Sequence, residues 1–146
     1  MNKADTSPKK TETLTVKALA KASGVSADTI RHYSQIGLLH PNRDPGNGYR
    51  YFSGRDIRTV RFVKQAKMLG YTLSEIIKII ELSAAGSTPC PLVRDIIQRR
   101  IRENRERIND MTNMQRRMEQ ALSKWSQLPD GTPDGHQICH LIEISD

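Results

Sequence analysis

From Pro91 to Leu128 no glycine, and no proline after the first residue, interrupts the chain. Such a stretch can run as one α-helix of about 55 Å at 1.5 Å per residue, and Pro91 suits its first turn. Within it Ile97, Ile101, Asn104, Ile108, Met111, Gln115, Met118, Leu122 and Trp125 follow an alternating three-four spacing, which lays them along one stripe. A lone helix has nowhere to bury that stripe. The spacing therefore predicts a partner, most simply the same helix of a second copy, making a homodimer. Asn104 and Gln115 interrupt the seam, and buried polar groups of this kind fix register at a cost in stability.

The remainder must supply a small core. Aromatic residues make up 5% of the chain and charged residues 27%, so apolar material has to be concentrated in helix seams, which favours a mostly α fold. The net charge is +7, and Thr15 to Tyr71 alone, with ten basic and three acidic residues, carries a surplus of the same size. A basic excess gathered in one segment points toward a polyanion, nucleic acid first. No run of about 18 apolar residues and no apolar leader are present, which predicts a cytoplasmic protein without a membrane partner. Cys90 and Cys139 are far apart, so a reducing compartment is expected and a disulfide scaffold is not.

The first half reads as a chain of short elements. Residues 1–14 are polar and aperiodic, a flexible arm. Val16, Leu19 and Ala20 have helical spacing that stops at Gly24, and Ser26 offers an N-cap for a second helix with Asp28 near its positive end. Two short helices joined in this way form a helix-turn-helix. The second should end near Gly37. Leu38 to Phe52 then holds prolines and glycines between short strand-prone stretches, and Asn47-Gly48 predicts a hairpin because both residues tolerate positive φ. This is a small β-wing, with Tyr49, Arg50 and Tyr51 on its return strand. Ser53 caps a third helix from Gly54 to about Leu69, burying Ile57, Val60, Phe62, Val63 and Met68. Thr72, with Glu75 three residues later, opens a fourth through a capping box, burying Leu73, Ile76, Ile77, Ile79 and Ile80. The resulting divisions are a DNA-binding head over 15–84, a hinge over 85–90, the long helix over 91–128 and a loop with a C-terminal segment over 129–146. Within the last, His136 to Glu143 can form a short helix.

On these residues the chain resembles the MerR (mercury-resistance-type) transcription regulators. Thr29-Ile30-Arg31-His32-Tyr33, Ile36-Gly37-Leu38-Leu39, Asn47-Gly48-Tyr49-Arg50-Tyr51 and Leu69-Gly70-Tyr71-Thr72-Leu73-Ser74-Glu75-Ile76 match that family's pattern in order. The fold expected is a winged helix-turn-helix head followed by a long antiparallel coiled-coil dimerisation helix. His32 stands where the family commonly has a second tyrosine, and Ser34 where it commonly has a glutamate. The second helix would lie in the major groove, where Arg31 can pair with guanine while Ser26, Thr29, His32 and Tyr33 meet phosphates or thymine methyls. Lys17, Arg43, Asn47, Tyr49 and Arg50 would hold the flanking backbone. The resemblance also implies a mechanism: the dimer binds a promoter whose spacer is too long, and the effector-bound state distorts that DNA so that RNA polymerase engages both elements.

The resemblance also bears on the two cysteines. Cys90 holds the position occupied by cysteine in the family's sensors of divalent ions and by serine in its sensors of monovalent copper, and Cys139 that of the C-terminal metal-binding cysteine. In an antiparallel dimer, Cys90 of one subunit would meet Cys139 of the other. Two thiolates with an imidazole from His140 or His136 suit zinc, cadmium, lead or mercury, and copper less well. The loop cysteines of such sensors are absent, the matching stretch being Leu128-Pro129-Asp130-Gly131. The alternatives are a Cys90 thiol that responds to an electrophile or oxidant, an organic ligand as the effector, and small apolar packing roles for both cysteines. An enzyme is not expected: Cys139 and His140 are neighbours whose side chains diverge, and there is no Gly-rich phosphate loop. A coiled-coil adaptor without DNA binding is the competing non-enzymatic class, and the basic head argues against it.

Overall fold

The computed structural model describes residues 13–144; the predicted N-terminal arm lies outside these, apart from Thr13 and Leu14. Six helices and a two-stranded sheet follow in the order α1 (Val16–Ser23), α2 (Ala27–Gln35), β1 (Asn42–Arg43), β2 (Arg50–Tyr51), α3 (Gly54–Met68), α4 (Leu73–Ala84), α5 (Cys90–Trp125) and α6 (His140–Glu143). The chain divides into two compact units, one up to Ile97 and one from Gln98 onward. Among the described residues no helix is long and apolar enough to cross a membrane.

In the first unit the local signals act as their chemistry requires. The Thr15 hydroxyl accepts the Ala18 N–H at the start of α1, and Gly24 ends that helix at φ 70°, a left-handed conformation that a Cβ would strain. Ser26 caps α2 by accepting the Thr29 N–H at 3.1 Å. Gly37, at φ 80°, turns the chain away after it. Thr72 and Glu75 form the capping box of α4, each accepting a backbone N–H from the other. At α3 the Asp56 carboxylate accepts the Ser53 N–H at 2.8 Å.

Leu19, Ile30, Leu39, Phe52, Val60, Val63 and Ile76 are wholly enclosed where α1, α2, α3 and α4 meet. Each such side chain contributes about 1.5–3 kcal/mol over an exposed one. Leu14 pairs with Phe52 through two 2.7 Å backbone hydrogen bonds, which attaches the end of the predicted arm to the head. The first turns of α5 belong to this core as well: Ile96 is buried, Leu92, Val93 and Ile97 pack against it, and the Tyr71 hydroxyl donates to the Val93 carbonyl at 2.7 Å. Ile97, expected to start the seam, thus packs on the head.

Two other expectations are corrected. Phe62 and Met68 on α3 are exposed, Met68 to 87%, because the buried face is set by Val60, Val63 and Ala66 at three-residue steps, and the other two fall outside that arc. The predicted wing hairpin forms; within its turn only Gly48 has positive φ, and the Asp44 carboxylate, accepting the N–H groups of Gly46 and Asn47, holds a four-residue loop between Asp44 and Tyr49. Helix α5 begins at Cys90 and ends at Trp125, so Cys90 is its first residue and lies beyond the hinge.

In the second unit the seam positions Ile101, Ile108, Met111, Met118 and Leu122 are all exposed, Ile108 to 63%. After α5 comes a loop that carries Pro129 and Pro133, and then α6, only four residues long.

Candidate nucleic-acid interface and thiol segment

The antiparallel pairing of β1 with β2 sets Asn42 opposite Tyr51 and Arg43 opposite Arg50. Like charges directly opposed across a two-stranded sheet repel, so this pair weakens the wing unless an anion lies between or above the guanidinium groups. Thr15, Lys17, Arg31, Gln35, Tyr49 and both wing arginines line a shallow groove of about 740 Å³ bounded by α1, α2 and the wing. Four cations converge there, with no carboxylate among the lining residues. Tyr49 is 73% exposed beside them, a flat apolar ring that can lie along a sugar.

Five of the predicted DNA-contacting residues, Lys17, Arg31, Arg43, Tyr49 and Arg50, are thus brought to one surface. Thr15 and Gln35, which the sequence reading did not single out, line the same groove: Thr15 caps the helix that carries Lys17, and Gln35 is four residues beyond Arg31 on the same face of α2. Arg31 donates to the Asp28 carboxylate at 2.8 Å. The Ser26 and Thr29 hydroxyls share a 2.8 Å hydrogen bond at the start of α2, so both serve the cap. His32 is exposed, its ring tilted 45° to that of Tyr33 at 6.2 Å between centroids. Asn47 is at the tip of the wing, where its side-chain oxygen accepts the Tyr49 N–H at 2.9 Å and stiffens the loop.

Tyr33 requires correction. Its side chain is only 5% exposed and belongs to the core cluster, because it follows Ile30 by three residues on the inward face of α2. Burial also pushes its phenol above the ordinary value of 10.0. Tyr33 braces α2 from within and does not face a groove.

The basic residues of α3 have a second use. Arg61 donates to the Ala22 carbonyl at 3.2 Å and Lys64 to the Gly24 carbonyl at 3.1 Å. Both cations therefore stand at the negative end of α1 and hold the turn of the helix-turn-helix.

The thiol segment is in the second unit, apart from Cys90, which is exposed at the first position of α5, its N–H donating to the Thr88 hydroxyl at 3.3 Å. Cys139 and His140 are half-buried and line a cavity of about 270 Å³ with Asp130, Gly131 and Thr132. The Cys139 N–H donates to the Glu143 carboxylate at 2.9 Å, which closes the short α6. Gly131 is where the loop meets the His140 ring, and a Cβ there would overlap the imidazole. His136 is exposed on the approach to α6, its N–H donating to Asp134 at 2.8 Å. Among the described residues, no three of His, Cys, Asp and Glu stand close enough together to hold a metal.

Comparison with known proteins agrees with this layout. The model of the MerR HTH family regulatory proteins matches residues 14–83, and that described as MerR, DNA binding, matches residues 57–121. The mercuric resistance operon regulatory protein of Serratia marcescens is 35% identical over 116 residues, which cover 80% of this chain and 76% of that protein. Among solved structures, the transcription regulator PbrR691 from Ralstonia metallidurans in complex with lead(II) superposes with a TM-score of 0.71 at 20% identity, over 90% of this chain and 98% of that one. The EcmrR–DNA complex in EcmrR-RPo gives a TM-score of 0.61 at 26% identity, over 77% of this chain and 39% of that one. The chain belongs to the MerR family of helix-turn-helix transcription regulators.

Proposed function

We propose that the chain acts as a homodimer that applies two basic grooves to one promoter duplex, and that a metal ion bound through cysteine thiolates changes how the dimer shapes that DNA. The convergence of Lys17, Arg31, Arg43 and Arg50 on one groove, with Arg43 and Arg50 opposed across the wing, carries the DNA part. Phosphates relieve that repulsion and release condensed counterions. Arg31 and His32 extend from α2 toward base edges, Ser26 and Thr29 toward phosphates, while Lys17, Asn47, Tyr49 and the wing arginines grip the backbone. The unpartnered stripe from Ile101 to Leu122 supports the dimer, since a second copy of the same helix supplies the complementary apolar seam.

The effector reading rests on the donor set. Cys139 with His140 or His136 offers a thiolate and an imidazole in one copy, and Cys90 of the second copy supplies the other thiolate. A set of this softness suits zinc, cadmium, lead or mercury ahead of copper. The relatives named for mercuric resistance and for lead binding support the same class of ion. Bound metal would supply the bonds that favour one arrangement of the dimer; the chain's own arginines and wing then hold distorted DNA, whose bending or untwisting costs several kcal/mol that protein contacts must offset. In this reading the protein works in the cytoplasm as an activator, distorting a long-spacer promoter so that RNA polymerase engages it.

Transcription in vitro from the promoter of the protein's own gene, with zinc, cadmium, lead, mercury and a thiol electrophile tested in turn, examines this. Cys90→Ser and Cys139→Ser should each keep DNA binding and lose induction by metal. Metal induction that survives in both variants removes the thiolates from the sensing site, and a wild-type chain that no metal induces removes the metal from the account. Induction by the electrophile alone, lost only in Cys90→Ser, assigns the response to modification of the exposed Cys90 thiol.

A further inference from the structure

The basic head from Thr15 to Tyr71 contains three carboxylates, and two are occupied by the backbone. Asp44 accepts the Gly46 and Asn47 N–H groups and shapes the wing loop. Asp56 accepts the Ser53 N–H at the start of α3. Asp28 differs: its side chain is 93% exposed, and its bond is to the Arg31 guanidinium at 2.8 Å. The N-terminus of α2 already has its cap in Ser26. Arg31 is one of the four cations lining the groove, so Asp28 holds a groove arginine by its reading end.

A carboxylate paired with an arginine of a DNA-reading helix competes with phosphates of any sequence for that guanidinium. A site that presents Arg31 with paired acceptors, such as the O6 and N7 of a guanine, can draw the guanidinium forward and keep the carboxylate clear of phosphate. Resting on the DNA reading given above, we propose that Asp28 is a specificity-determining residue: by holding Arg31 back from generic backbone, it lowers binding to unmatched duplex more than binding to the matched site. Discrimination obtained by weakening the wrong complex, as well as by strengthening the right one, is a general device of specific interfaces.

The test uses the full chain and two duplexes of equal length, one selected by the wild-type protein from a random pool and one scrambled. Asp28→Asn should raise affinity for the scrambled duplex about fivefold and steepen its log–log salt dependence by about one, as if one more phosphate were contacted, while affinity for the selected duplex changes less than twofold. Asp28→Glu should restore the wild-type ratio, and in an Arg31→Ala background the change in ratio caused by Asp28→Asn should shrink. Equal changes on both duplexes, or an unaltered ratio, overturn the proposal while leaving DNA binding intact. A full effect of Asp28→Asn in the Arg31→Ala background also overturns it, because the carboxylate would then act without the arginine. If the wild-type chain selects no duplex at all, the DNA reading itself fails and the role of Asp28 falls with it.

Discussion

Arg43 and Arg50 face each other across a hairpin of only two residues per strand, and nothing in the groove they line neutralises them. That arrangement costs stability in the free protein, so its use lies in what it binds. Arg43→Ala and Arg50→Ala should each weaken DNA binding about five- to tenfold near physiological salt and flatten the log–log salt dependence by about 0.9, read by fluorescence anisotropy at several salt concentrations. Neither should lower thermal stability. Tyr33 illustrates the opposite case, a polar residue consumed by the core. Because burial raises its phenol pKa, the unfolded chain loses that proton first as pH climbs. The stabilisation is whole below about pH 10, the ordinary tyrosine value, and is lost as pH rises through the higher folded value. Tyr33→Phe keeps the ring and should blunt this alkaline loss, measured as the pH dependence of the denaturation midpoint from pH 8 to 11. The basic groove residues were legible in the sequence because charge on a short hairpin and on a helix start has few other uses. The inward turn of Tyr33 was not, since it depends on which face of α2 meets α1.

At the scale of elements, chemistry confined to a few neighbouring residues was readable and chemistry between distant residues was not. The caps at Ser26, Thr72 and Gly24 formed where the residues called for them because each is a bond to the chain's own next turn. Thr72→Ala removes one half of a two-way capping box and should lower the stability of the head by about 1 kcal/mol, as read from urea unfolding. The wing hairpin was legible in Asn47-Gly48, whereas the length of its loop was not, because it is set by Asp44, three residues before Asn47, which holds the loop N–H groups. The buried arc of α3 was likewise misjudged at Phe62 and Met68, since a helix shows on which side it packs only when its neighbours are in place. Similarly, Ile97 lies on the stripe by spacing, yet the first turns of α5 are drawn into the head by Tyr71 and Ile96.

For the whole molecule, the long apolar stripe dictates more than any single contact. Residues from Ile101 to Leu122 present methionine, leucine and isoleucine to solvent along a helix of about 54 Å for its 36 residues. Exposed apolar surface of that extent marks an interaction face. The need for a partner was clear from the spacing, whereas the pairing of Cys90 and Cys139 depends on how two copies meet, which one chain's sequence does not encode locally. A charge placed in the seam, Ile108→Asp, should drive the protein to monomer and cost at least a hundredfold in DNA affinity while leaving the melting of the head unchanged. The most direct measurement is sedimentation velocity of the full chain, alone at micromolar concentration and then with a duplex that it binds. The account predicts a dimer of about 33 kDa, twice the 16.5 kDa of one chain, and two chains on each duplex. A monomer that binds one duplex per chain, with affinity untouched by Ile108→Asp, would contradict it.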